Sequence, residues 1–215
     1  MAGFLDGPKL NGKEQPGNQS CYTFPFKGIS VWLEIDSVST KYAVASVRER
    51  INIPGFQPHV TVLYGIEDMR PADVDAELRT IAQNVPPFEL NVAINRFAGG
   101  YKFGDFRPFD MRYFQIEYEE RSGALDQLHR NAAMVLGGGV ATSTAGFLPH
   151  ASLIYVNLGD PRFNAKDAAN LVHQYPGLLT ETVLVSAMSV VSTHGTPDQW
   201  KVLSRVPLIG KKENQ

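Results

Sequence analysis

Residues 56–64 read FQPHVTVLY and residues 147–155 read FLPHASLIY. Superposed, the two stretches share Phe, Pro, His and Tyr, a hydroxyl two places after the His, and an aliphatic pair before the Tyr. Both are rich in aliphatic residues and bounded by turn formers, which predicts a strand in each case. Side chains alternate along a strand, so His59 and Thr61 share one face, as do His150 and Ser152. Val60 and Val62, and likewise Ala151 and Leu153, then turn the other way to pack against helices.

The flanking sequence repeats around these strands. GISVWLEI (28–35) alternates like a half-buried strand. STKYAVASVRERIN (39–52) has helical spacing at Tyr42, Val44, Val47 and Ile51 behind a Ser/Thr N-cap. After the first motif comes RPADVDAELRTIAQNV (70–85), a helix with Pro71 near its start. FELNVAINRF and RYFQIEYEE then read as paired strands joined by the Gly-rich AGGYKFGDFRPFDM. From Ser122 the order begins again with a helix (123–137), the second motif strand and a helix (164–176). ETVLVSAMSVVST and DQWKVLSRVPL follow as two strands. A unit this long argues against a solenoid and for two pseudo-symmetric lobes, each an antiparallel sheet with helices, facing one another across a cleft. The expected class is α+β and bilobal, with one domain over 27–210 between a flexible N-terminal tail (1–26) and a short C-terminal tail (211–215).

Composition narrows the chemistry. The chain has 215 residues with 20 basic and 22 acidic side chains, so no overall field suits coating a nucleic acid. Its single cysteine, Cys21, excludes an internal disulfide and a Cys-based zinc site. No apolar run approaches the ~20 residues of a membrane span, and the N-terminus lacks the apolar core of a signal peptide. A cytoplasmic protein is expected, with the nucleus as the other compartment, no membrane association, and a monomeric state.

Two imidazoles and two hydroxyls converging on one volume suit displacement at phosphorus. A base activates the attacking oxygen and an acid protonates the leaving oxygen, and histidine can do either near neutral pH. The hydroxyls of Thr61 and Ser152 can donate to non-bridging oxygens whose charge grows in the transition state. A single strand histidine beside proline is more often structural. A core, however, requires neither an ionisable ring at the same place in both halves nor a hydroxyl beside each. A two-His metal site lacks a further ligand at suitable spacing, so no metal and no cofactor are expected. GGGVATSTAG (137–146) lacks the Gly-Lys-Ser/Thr ending of a P-loop, and His129, His173 and His194 have no partnered spacing.

These paired motifs, with SVWLEI, FQPHVTV, ATSTAGFLPHASLIYVNL and QWKVLSRVPL, resemble the 2H phosphoesterase superfamily, and within it the plant- and yeast-type cyclic phosphodiesterases. The resemblance spans about residues 28–208. It implies metal-independent opening of nucleoside 2′,3′-cyclic phosphates to 2′-phosphates, or of ADP-ribose 1″,2″-cyclic phosphate, a by-product of tRNA splicing. His59 and His150 become acid and base, with His150 expected to activate water and His59 to protonate the leaving oxygen. Thr61 and Ser152 hold the phosphate. The resemblance also marks Tyr155 as a substrate-side residue, although its odd spacing from His150 requires a bulge to bring it round. Tyr64 holds the matching place in the first half, where a packed core tyrosine is the competing reading. Trp200 borders the cleft or packs beneath the sheet, and Phe103, Phe106 and Arg107 form either a stacking surface or an ordinary hairpin tip. The partner expected is a small nucleotide, with RNA ends or 2′,5′ linkages as an alternative and a non-catalytic nucleotide-binding module as another. Replacing either His59 or His150 by Ala is expected to abolish turnover with little effect on stability.

Overall fold

The computed structural model describes residues 27–53, 56–99, 111–137, 147–157 and 161–211. The expected surface at Phe103, Phe106 and Arg107, nearly all of the Gly-rich stretch before the second motif, and the N-terminal tail lie outside them.

The first motif strand, β2 (His59–Ile66), pairs with β1 (Ile29–Glu34), and between them runs α1 (Val38–Ile51). Ser37 caps α1 by accepting from the Thr40 amide at 2.9 Å, so the helix starts ahead of the stretch 39–52 and takes Ser39 and Thr40 into its first turn. Its buried stripe is Thr40, Ala43, Val44, Val47 and Ile51; Tyr42, expected on that stripe, is exposed. The buried Ala43, next to it, occupies the inward position. After β2 come α2 (Pro71–Ala82), with Pro71 in its first turn, and β3 (Phe88–Gly99). Then follow β4 (Met111–Glu119), α3 (Ala124–Leu136), the second motif strand β5 (His150–Asn157) and α4 (Ala165–Gln174). A single turn of helix, α5 (Gly177–Thr180), leads to β6 (Thr182–Val185), β7 (Ala187–Ser192) and β8 (Lys201–Pro207).

The described strands form one antiparallel eight-stranded sheet in the order β6-β3-β4-β5-β2-β1-β7-β8. Its middle is the junction of the two motif strands, paired at Val60 and Ala151. On either side lie four strands, related by exchange of β5 with β2, β4 with β1, β3 with β7 and β6 with β8. The α+β class and the two-sided symmetry match the sequence reading, but the division of the chain does not. Each side takes strands from both halves, and the structural repeat starts at β4, not at Ser122: β1-α1-β2-α2 corresponds to β4-α3-β5-α4.

The run ETVLVSAMSVVST is also two strands, not one. It breaks at Ser186, sending β6 to one edge of the sheet and β7 to the far side, beside β1 and β8. A single residue spans only about 7 Å between its neighbours' Cα atoms, so the sheet must curl until those two regions meet. The Leu208 amide fastens the join by donating to the Ser186 carbonyl at 2.8 Å.

The helices cover one face. α1 packs on β5 and α3 on β2, each crossing to the motif strand of the other side. Val60, Val62, Ala151 and Leu153 are buried there with Val31, Leu33 and Ile116, as their alternation required. The opposite face carries the motif histidines.

Candidate active site

β2 and β5 meet at Val60 and Ala151, and the residues one step either side, His59 and Thr61 on β2 and His150 and Ser152 on β5, flank that junction. Both rings and both hydroxyls therefore share the face opposite the helices. The two rings are held alike. His59 Nδ1 lies 2.7 Å from the Gln57 carbonyl and His150 Nδ1 lies 3.0 Å from the Leu148 carbonyl. A carbonyl only accepts, so Nδ1 carries the hydrogen and Nε2 is the nitrogen left for chemistry in both.

The surroundings of the two rings differ. His59 is buried, its ring stacked on Trp32 with centroids 3.4 Å apart and planes 8° from parallel. Phe56 and Trp200 meet it edge-on at 5.9 and 6.0 Å. Burial pulls its pKa down to about 3, against the Gln57 carbonyl, which favours the cation; His150 nearby lowers it further. His150 is only partly buried, and its cross-strand neighbour on β4 is Glu117.

Both expected tyrosines reach this face, by the same device. Between Val31 and Trp32 the β1–β2 register slips by one residue at Val62, and between Phe114 and Gln115 the β4–β5 register slips at Leu153. Each slip is a bulge in which two successive residues, Val62 with Leu63 and Leu153 with Ile154, stay on the core side. The next residue is Tyr64 or Tyr155, returned to the histidine face despite its odd spacing. Tyr155 is hydrogen-bonded to the Ser152 side chain, and burial raises its pKa. It lies 5.3 Å, ring to ring, from Phe56. Tyr64 is 39% exposed, so it is not the packed core tyrosine of the competing reading. Trp200 stands on the site side, 5.4 Å from both Trp32 and Phe56.

Sequence reasoning left out the residues on the neighbouring strands. Trp32 is the cross-strand partner of Thr61 and Glu34 of His59; across the symmetry, Gln115 partners Ser152 and Glu117 partners His150. Each motif thus has a carboxylate opposite its histidine. Glu34 accepts from the Ser189 hydroxyl and from Arg205 Nη2, the latter at 2.9 Å; Glu117 accepts from Gln115 Nε2 at 3.0 Å. Only pairing register links these residues to the motifs, so linear spacing could not have found them.

A cavity of about 510 Å³ between α1 and residues 56–58 abuts the His59 end of the site, with Lys41 and Arg48 among its walls. Phe56, Gln57 and Pro58 of the first motif line it, but neither histidine and neither hydroxyl of the two motifs does. Among the described residues no cluster of three or more His, Cys, Asp or Glu could hold a metal ion, and no helix is long and apolar enough to cross a membrane.

A curled antiparallel sheet with two H-x-[T/S] strands at its centre is the arrangement of a 2H phosphoesterase. The family model of the 2′-5′ RNA ligase superfamily matches residues 23–197, and the chain belongs to that superfamily, whose members are phosphodiesterases. Escherichia coli LigT, solved in complex with NADP+, is similar to it in fold, at 14% identity and a TM-score of 0.50 over 86% of this chain and 99% of LigT. Usb1 of Kluyveromyces marxianus, solved with uridine monophosphate, aligns at 9% identity and a TM-score of 0.48 over 84% of this chain and 97% of that one. No curated protein matches the chain in sequence.

Proposed function

We propose that the protein is a metal-independent phosphodiesterase that opens 2′,3′-cyclic or 1″,2″-cyclic phosphates of nucleotides through His59 and His150. The observation that carries this reading is the matched pair of Nδ1-anchored rings on the two motif strands, which meet at Val60 and Ala151. Thr61 and Ser152 donate to the non-bridging oxygens, and Tyr155 orients the Ser152 hydroxyl.

The order of roles we propose reverses the one expected from sequence. His59, held neutral by burial, takes a proton from water at Nε2 as the water oxygen bonds to phosphorus. His150 Nε2 gives its proton to the ribose oxygen as that P–O bond breaks. For a 2′,3′-cyclic phosphate the product is the 2′-phosphate, and proton exchange with solvent resets both rings.

The test is hydrolysis of the four nucleoside 2′,3′-cyclic phosphates and of ADP-ribose 1″,2″-cyclic phosphate in excess EDTA, with products read by phosphorus NMR. Chelator-resistant opening is expected, falling by about 10²–10⁴-fold in His59→Gln and His150→Gln. Turnover unchanged in either variant would sink the mechanism. Membership of the 2′-5′ RNA ligase superfamily favours a second reading, action on RNA ends or 2′,5′ linkages. Turnover confined to oligonucleotides in the same assay would select it.

A further inference from the structure

Across the histidine face a row of side-chain positions runs from Thr61 on β2 to Trp32 on β1, Ser189 on β7 and Arg205 on β8. Cross-strand partners share a face, so all four belong to the side of the sheet that carries His59. The Arg205 backbone lies three strand spacings from Thr61, about 14 Å. Its side chain leans back over β7 to reach Glu34, the cross-strand partner of His59, at 2.9 Å.

The ion pair is lopsided. The Glu34 side chain is 13% exposed and that of Arg205 is 60% exposed. One carboxylate oxygen accepts from the Ser189 hydroxyl and the other from Arg205, so Glu34 serves to fix the guanidinium. An uncompensated carboxylate beside His59 would repel any phosphate substrate; paired, it leaves a near-neutral site with an oriented cation at its rim. Guanidinium carries five N–H donors in a planar fork, enough to serve Glu34 and a phosphate together. The other nearby acid, Asp36, is engaged by Lys41. Arg205 stands on β8, an edge strand of the described sheet, where a longer ligand can leave the protein.

We infer that Arg205, held by Glu34, binds a second phosphate of the substrate, so the preferred substrate is a nucleotide carrying a phosphate beyond the one that is opened. This rests on the phosphodiesterase reading and names the substrate class within it. A 5′ diphosphate, as in an ADP-ribose derivative, and an internucleotide phosphate, as in an RNA end, are the two sources of that group.

Three substrates separate the possibilities: adenosine 2′,3′-cyclic phosphate, ADP-ribose 1″,2″-cyclic phosphate and a diadenosine nucleotide ending in a 2′,3′-cyclic phosphate. Arg205→Gln should lower kcat/KM roughly 10–100-fold on one or both of the substrates with further phosphates, the worth of a charge-assisted hydrogen bond. The simple cyclic phosphate should lose less, only what the uncompensated Glu34 charge removes, and Arg205→Lys, which keeps that charge paired, should recover part of the loss. Loss on a single two-phosphate substrate identifies the source. Equal loss on all three, or loss on none, overturns the inference and leaves Arg205 as the neutraliser of Glu34.

Should the wild-type protein turn over none of the three, the phosphodiesterase reading fails separately, and binding decides the role of Arg205. Adenosine 3′-phosphate and adenosine 3′,5′-bisphosphate would be titrated against both proteins. A preference for the bisphosphate that disappears in Arg205→Gln supports the inference; the same ratio of Kd values in both proteins overturns it.

Discussion

Protonating His59 places a cation among Trp32, Phe56 and Trp200, with the Gln57 carbonyl as a polar anchor and His150 opposing it. The folded-state pKa, about 3, lies below the ordinary 6.5, so the unfolded chain holds this proton more tightly. Stability from the neutral ring is complete above pH 6.5 and is lost as pH falls toward 3. Between pH 8 and pH 5, where the unfolded ring protonates and the folded one stays neutral, the loss is about 2 kcal/mol. Urea denaturation at the two pH values should show His59→Gln losing correspondingly less stability than the wild type. Equal losses would refute the burial argument. The same burial corrects the expectation that His59→Ala leaves stability intact: that residue is 5% exposed and stacked, so its removal opens a cavity. At this scale the sequence showed the repeated rings and hydroxyls, because repetition is visible in linear text. Trp32, Glu34 and Arg205 were not legible, because their relation to His59 exists only in strand register.

The bulges at Val62 and Leu153 belong to the next scale, since they decide which residues of a strand face the chemistry. From the sequence they existed as a contradiction: a Tyr five places after His faces the wrong way on a regular strand, and only an extra residue resolves it. The break at Ser186 left no such trace, because an unbroken apolar run reads the same whether it is one strand or two. Strand ends here also depend on glycine. Gly65, in β2, and Gly28, just before β1, have φ of +75° and +81°. A Cβ at Gly65 would meet nothing within 4 Å, whereas at Gly28 it would stand 2.9 Å from the Ile66 carbonyl oxygen and 3.1 Å from Gly65 carbonyl carbon. Gly65→Ala should therefore cost only the left-handed backbone penalty, about 1–2 kcal/mol. Gly28→Ala should cost more, since backbone on β2 must move as well. Denaturant midpoints of the two variants check the order, and a Gly65→Ala loss equal to or larger than that of Gly28→Ala would contradict it.

For the molecule as a whole, the duplication and the lobes run on different schedules. A chain cut at Ser122, where the sequence order restarts, would give an N-terminal piece holding β1 to β4 and a C-terminal piece holding β5 to β8. In the N-terminal piece β1 would lose β7, β3 would lose β6 and β4 and β2 would both lose β5. The C-terminal piece would keep β7 beside β8 and leave β5 and β6 with no strand partner among themselves. Unpaired strands expose backbone donors and acceptors together with the apolar face that the helices cover, so neither piece has a closed core. Two further bonds tie the C-terminal segment to the end of α2: the Ile209 amide donates to the Ala82 carbonyl at 3.0 Å and the Gly210 amide to the Val85 carbonyl at 3.1 Å. Fragments 1–121 and 122–215 should each lack dispersed amide resonances in two-dimensional NMR. Mixed in equal amounts, they should recover the dispersed spectrum and, if the phosphodiesterase reading holds, the activity. Independent folding of either fragment would mean that the consecutive halves, and not the interleaved sides, are the units of this fold.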